Sequence, residues 1–538
     1  MKSEKMTIRR LGILCMLLAT LSAAHAALRT WDGGGANNFW MTADNWEVNT
    51  APQANDDLLF PSGAARLSNS NNFSAGTVFN SIAFTGGGYD LRGNLITTRA
   101  GITNYNGSSS ISAPLSLATN QTFSCEGVGA GLVLKGGVDT AGRTLTLSSA
   151  GEIQFQSGIS GSGDIIKTGP QLVSMQANNT YLGRTDILQG TVILSHSNGL
   201  GATIAGTTVS PGATIQLEGT ITVPEPLALA GKIQAASPGP SGWSGTITLI
   251  SNTAIVDVPS IALPLTISGV VSGTGTLAKV SSGTLSLTAN NTYTGLTSNY
   301  FGTVIVDGFQ PSSPVLVGLG ATLTGNGTVG HVTCVEGFTG QLPRVIPGEL
   351  GIGRLTTSNL TLSAVARLAV QLNGTAAGTN YGQVRVRGSV NITNAGLDLT
   401  VNAAFKPTVG QTFVIIDNDG NDPVLGEFRF LPEGTVFNGG GYPFQITYAG
   451  GSGNDVVLTR VGSVTGIQSI MAFSDSVRLQ VTGGINGVTY TIQAATNLTP
   501  SIQWSNIVSL PAGSSGTFAY FDFSAPLFPM RFYRVMSP

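Results

Sequence analysis

The chain has 538 residues, 73 of them glycine, with 41% apolar and 10% charged residues and a formal charge of −2. So few charged helix formers, where roughly 25% is ordinary, exclude a coiled coil or a wet-faced helical bundle. The apolar share at low net charge excludes disorder, the scarcity of Lys and Arg excludes a nucleic-acid surface, and the length exceeds the ~250–300 residues of one ordinary core.

Residues 1–26 read as a secretory signal peptide. Lys2, Lys5, Arg9 and Arg10 make the positive start, Leu11 to Leu21 the apolar run, and Ala24-His25-Ala26 the cleavage site. The run falls short of the ~20 residues of a bilayer span. Leu14 before Cys15 argues against lipidation, and Arg9-Arg10 lacks a twin-arginine context. Cleavage removes four positive charges and one negative, leaving −5. With no later apolar stretch long enough to span as a helix, the expectation is an exported protein with no transmembrane anchor of its own. It would lie outside the cell or at its surface, with the periplasm as the alternative.

Residues 27–62 hold an aromatic block: Trp31, Phe39-Trp40 and Trp46, followed by Pro52 and Asp56-Asp57. An open stack of strands needs a cap over its end, which three tryptophans can supply; the alternative is an aromatic platform for sugar rings.

Residues 63–346 carry an internal repeat. Ile159–Leu194 and Val271–Val306 align without a gap at an offset of 112, with 16 of 36 positions identical, among them Gly161/Gly273, Lys167/Lys279, Asn178/Asn290, Tyr181/Tyr293 and Gly190/Gly302. Each copy is a series of short runs with period-two alternation, parted by Gly, Ser and Asn. Such strands bury their apolar sides only by stacking coil on coil, and 112 residues suits five coils of ~22. Leu132-Val133-Leu134, Thr144–Leu147, Ile153-Gln154-Phe155, Thr246–Leu249 and Leu265-Thr266-Ile267 continue the rhythm. On that architecture Cys125 and Cys334 lie many coils apart and are expected as two separate buried thiols.

The text GTGTLAKVSSGTLSLTANNTYTG, then GTVIV, resembles the autotransporter-associated β-strand repeat, closely at 271–306 and with departures at 159–194. The resemblance implies an all-β fold, a right-handed parallel β-helix (solenoid), on an exported, surface-directed protein. Residues 347–462, from Pro347-Gly348 through Leu372-Asn373-Gly374 to Gly453-Asn454-Asp455, are similar to the C-terminal passenger coils of such proteins. Residues 463–538 alternate in about six short strands, which predicts a small C-terminal immunoglobulin/fibronectin-like β-sandwich with Tyr490 and Trp504 as core aromatics. The 76 residues after Gly462 are too few for a translocator barrel.

Chemistry is sparse. Asp56-Asp57 is the one adjacent acidic pair on the rod and reads as a turn. His196 and His331 survive cleavage, but no Gly-x-Ser-x-Gly elbow accompanies them, and His331 with Cys334 supplies two metal ligands where a site needs more. Asp417–Asp422 opens like a calcium loop and Gly450–Leu458 matches a calcium-binding nonapeptide once, while both also suit hairpin turns. Val223-Pro224-Glu225-Pro226-Leu227 reads as a corner between coils. No catalytic, metal or cofactor residue is expected. The reading is a non-enzymatic surface or extracellular rod, adhesin-like or for structural display. Its partner would be a cell-envelope, glycan or protein ligand. The alternatives are a β-helix carbohydrate-active enzyme (polysaccharide lyase or glycosidase type), which needs charged residues along one outer face, and a calcium-stabilised secreted module.

Overall fold

The computed structural model describes residues 26–536 apart from 237–238, 336–340, 420–421, 463–465, 485–486 and 514–515, so the expected signal peptide lies outside them but for Ala26. Alternation becomes burial directly. In Leu145–Ser149, Glu152–Phe155 and Arg367–Leu372 every second side chain is buried. Strands stack in parallel so that inward residues form ladders, one of which runs Leu132, Ile153, Val173, Val192, Ile215, Ile233, Val256. These ladders merge into one apolar core that extends from Trp31 to Leu458. The fold is an all-β parallel solenoid.

Each coil contributes to up to three faces. The first face is a fifteen-stranded sheet whose main path runs from Leu28–Thr30 to Val271–Gly273; beyond a gap, an eight-stranded sheet starts at Phe309–Gln310. The second face is an unbroken sixteen-stranded sheet from Ser68–Asn71 to Val390–Asn391. Its fifteen steps of ~4.8 Å make a rod about 70 Å long. The third face is a nine-stranded sheet from Thr222–Val223 to Gly396–Val401. Short strands Leu115–Leu117, Val138–Asp139 and Ile159–Ser160 hold the same place in earlier coils, just before a first-face strand.

The two repeat copies do not sit above one another on the same faces. Ile165–Thr168 lies on the first face, whereas its counterpart Thr276–Val280 lies on the second. The 112-residue offset is therefore five coils plus one face, because the coils between average nearer 21 residues than 22. The unit tolerates this because its contacts reach only the rungs directly above and below.

Those contacts explain the identical residues. Lys167 and Lys279 share strand parity with Ile165 and Leu277, point inward and are fully buried. Lys167 Nζ donates to the carbonyls of Thr168 (2.7 Å), Gly169 (2.7 Å) and, one rung up, Gln189 (3.1 Å). Lys279 Nζ does the same to Val280 (3.0 Å), Ser281 (2.7 Å) and Phe301 (2.8 Å). Each ammonium ties a corner to the next coil, and burial pulls both lysines down to about 8. Gly190 and Gly302, at φ +75° and +73°, close the corner over the lysine, and a Cβ on Gly190 would stand 2.8 Å from Lys167 Nζ.

The Asn-Asn-Thr-Tyr segment marks where a strand is omitted. At 289–294 the first face loses its ladder, and the Asn291 side chain spans the gap. It accepts from the Val271 amide (2.8 Å) and donates to Gln310 Oε1 (3.2 Å). Asn179 likewise accepts from Ile159 N (2.8 Å) and donates to Gly199 O (2.6 Å) at the break in the third face. Tyr181 and Tyr293, both buried, pair their hydroxyls at 2.6 Å with Thr185 and Thr297.

At the N-terminal end Trp31, Trp40 and Trp46 are fully buried, edge to face with one another and packed on Phe60. No tryptophan ring face is left open for a sugar, while Phe39 is exposed. Within 347–462, parallel pairing continues to Thr412–Asn418; then Asp455–Arg460, Tyr442–Gly450 and Val436–Gly439 add antiparallel to the first face in that order and end it. Cys125 and Cys334 are free, buried thiols. About ten rungs, or ~48 Å, separate them.

Residues 466–536 form two three-stranded antiparallel sheets, Gly466–Ala472 with Val477–Thr482 and Phe518–Asp522, and Ser505–Pro511 with Thr489–Ala495 and Phe532–Met536. They have their own core around Leu479, Val481, Tyr490 and Ile492. Tyr490 is a core aromatic as expected. Trp504 is not: it precedes its strand, stays partly exposed, and carries the Arg534 guanidinium over its ring at 4.4 Å.

Replacing Lys279 by Met keeps the volume but leaves the inward carbonyls of Ser281 and Phe301 without a donor, each worth about 1–3 kcal/mol when unmet, and Val280 O with only a 3.4 Å bond from Val258 N. The expected result is a loss of roughly 3 kcal/mol, read as a lower urea midpoint, while Lys232→Met at a partly exposed position leaves the midpoint nearly unchanged.

Candidate functional site

On the third face, residues of inward parity fill the core and those between them face outward. Thr303 and Ile305, Thr322 and Thr324, Arg344 and Ile346 thus form rows across three rungs, and Ala369, Gln371, Asp398 and Thr400 extend them over two more. Two depressions of about 470 and 400 Å³ adjoin on this surface along the rod axis, with Ile346 and Leu350 lining both, and form the two halves of a trough. Its five rungs span about 19 Å.

The chain between Arg344–Pro347 and Arg354–Thr357 makes a tight loop in which Glu349 pairs antiparallel with Ile352. Leu350 takes φ +56° and is 78% exposed. A leucine in the left-handed region costs about 1–2 kcal/mol, and here that strain holds an apolar side chain against both halves of the trough. Asp307 Oδ1 accepts from the Asn326 amide at 2.9 Å. Neither Asp307 nor Glu349 has a cationic partner among the described residues. At the other end Asp398 stands between Arg344 (3.9 Å) and Arg367 (3.6 Å). The trough therefore offers hydroxyls, two carboxylates without cations, one charge cluster of two arginines on one aspartate, and an apolar floor.

The residues singled out from sequence lie elsewhere. Asp56 receives Arg29 Nε (2.8 Å) and the amides of Ala27 and Gln53, while Asp57 receives Asn80 (2.8 Å) and Ser81, so both carboxylates are spent on the N-terminal coils. His196 accepts from the Asn198 amide in its turn. His331 bonds Thr361 and Thr333 hydroxyls on the outer side of its strand, and Cys334 points into the core, so they do not converge. Burial pushes the thiols of Cys125 and Cys334 up to about 11 and 12.

The two candidate calcium segments do meet. Asp455 accepts from the Asn418 amide (2.9 Å), and Asn418 donates to the Asp422 carbonyl (2.9 Å). Gly420 and Asn421 lie outside the described residues. Among the described residues no three His, Cys, Asp or Glu side chains gather as metal ligands.

Glu225 was read as part of a corner, and it does join the third-face strand Thr222–Val223 to the first-face strand Leu227–Leu229. Its side chain is nevertheless buried, with Oε2 and the nearby Thr207 Oγ1 lacking protein partners. Burial pushes the carboxyl up to about 7. Two flanking prolines in a corner gave no signal of this.

No family model matches the chain. It is similar to the adhesin BmaC autotransporter of Brucella suis biovar 1 (strain 1330), 32% identical over 112 residues, which is 20% of this chain and 3% of that adhesin. The chain thus matches only a small part of its relative's length. The chain is a passenger-like β-helix. As such it presents outer faces of regularly spaced side chains, and the trough is a concave stretch of one of them that carries acidic groups without cationic partners. No helix among the described residues is long and apolar enough to cross a membrane.

Folding raises the affinity of Glu225 for its proton, so its stabilising contribution is complete below pH 4.5 and is lost as pH rises through about 7. Glu225→Gln should therefore be more stable than the parent at pH 8, by up to roughly 3 kcal/mol, with the gap closing by pH 4. Thermal midpoints of the pair across that range measure it.

Proposed function

We propose that the chain is an exported, non-enzymatic, adhesin-like rod that carries contact surfaces away from the cell that makes it. The observation that carries this reading is a continuous solenoid with sixteen second-face rungs joined to a local match with an autotransporter adhesin. A stack satisfied coil by coil is stiff, and its outer faces offer Thr, Ser and Asn at a fixed spacing to a surface ligand. The apparent signal peptide at 1–26 supports export, and the antiparallel sheets of 466–536 support a terminal sandwich as a second contact module. An extracellular or cell-surface location follows, with the periplasm as the alternative.

A second reading, a carbohydrate-active enzyme, draws on the charged residues in the trough. The carboxyls that burial pushes up, Glu225 and Asp455, lie on other coils, so neither is poised there as an acid.

Protease added to intact producing cells should degrade a mature chain beginning near Ala27. A chain that retains residues 1–26, or one that only lysis exposes, would sink the surface reading. Incubation with pectin or alginate should leave their chain lengths unchanged; shortened products would favour the enzyme instead.

A further inference from the structure

The trough identifies its ligand by what it cannot take. Its floor is the face of a sheet whose backbone groups are already bonded to rungs on both sides, so a peptide finds no free edge to extend. Asp307 and Glu349 have no cationic partner, and with Asp398 they outnumber Arg344 and Arg367, so the trough is net negative and disfavours a phosphate polymer. Rows of Thr hydroxyls suit a hydroxylated chain rather than acyl chains. A polymer running along the rod would meet a hydrogen-bonding group at each ~4.8 Å step and an apolar patch made by Ile305, Ile346 and Leu350. The strained Leu350 fixes that patch in advance of binding, and preorganisation lowers the ordering cost.

We infer that this trough binds a linear, non-anionic glycan lengthwise. The inference rests on the reading of the chain as a contact-making rod and names the ligand class of one of its faces.

The test uses the full mature chain and three probes, chitohexaose, cellohexaose and a galacturonic acid hexamer, by calorimetry. At least one neutral hexamer should bind, about tenfold more tightly than its dimer and than the anionic hexamer. Leu350→Gly relieves the backbone strain and removes the apolar patch, so it should keep or raise the melting temperature yet weaken binding about tenfold. The double variant Asp307→Asn, Glu349→Gln should bind the anionic hexamer better than the parent does. No binding of either neutral hexamer, preference for the anionic one, or full binding by Leu350→Gly would each overturn the inference. Shortening of a bound neutral hexamer would keep the trough as a glycan site and overturn the non-enzymatic reading, and surface protection from protease would overturn only the location.

Discussion

A rod of short strands depends on meeting backbone hydrogen bonds where the chain turns. Along the faces, parallel ladders satisfy amides and carbonyls between rungs. At corners some carbonyls turn inward, away from water, and an unmet buried carbonyl is costly. Lys167 and Lys279 meet that need with three donors each from inside the core, and Asn179 and Asn291 do so where a strand is left out. The buried charge is tolerated because carbonyl dipoles surround it, so the polar interior holds the apolar ladders in register.

Much of this was legible in the sequence. Alternation in runs such as Leu145–Ser149 gave strands and their inward side, and the 16 identities gave stacked coils. Lys167 was two residues from Ile165, so its inward parity was readable, but its partners were not, since they depend on which carbonyls the corner turns. The offset was misassigned by one face because coil length is set by corners of variable size. Trp504 read as core since tryptophan is usually buried, and Arg534 provides an alternative cover.

The trough was the least visible feature. Thr303, Ile305 and Thr322 are outward by parity alone. The meeting of Glu349 and Leu350 with Asp307 depends on a loop between third-face and first-face strands and on how far it reaches over the sheet. This surface combines rows of hydroxyls with charged groups.

The places where a ladder is omitted lie on different faces and at different heights, near 178–182 and 195–206 on the third face and 289–294 on the first, while the second face runs through them all. Like staggered joints in brickwork, they give a crack no straight path: separation that starts along one broken course meets intact bonding beside it. The rod thereby gains spots where its outline can vary without acquiring a plane along which it would part.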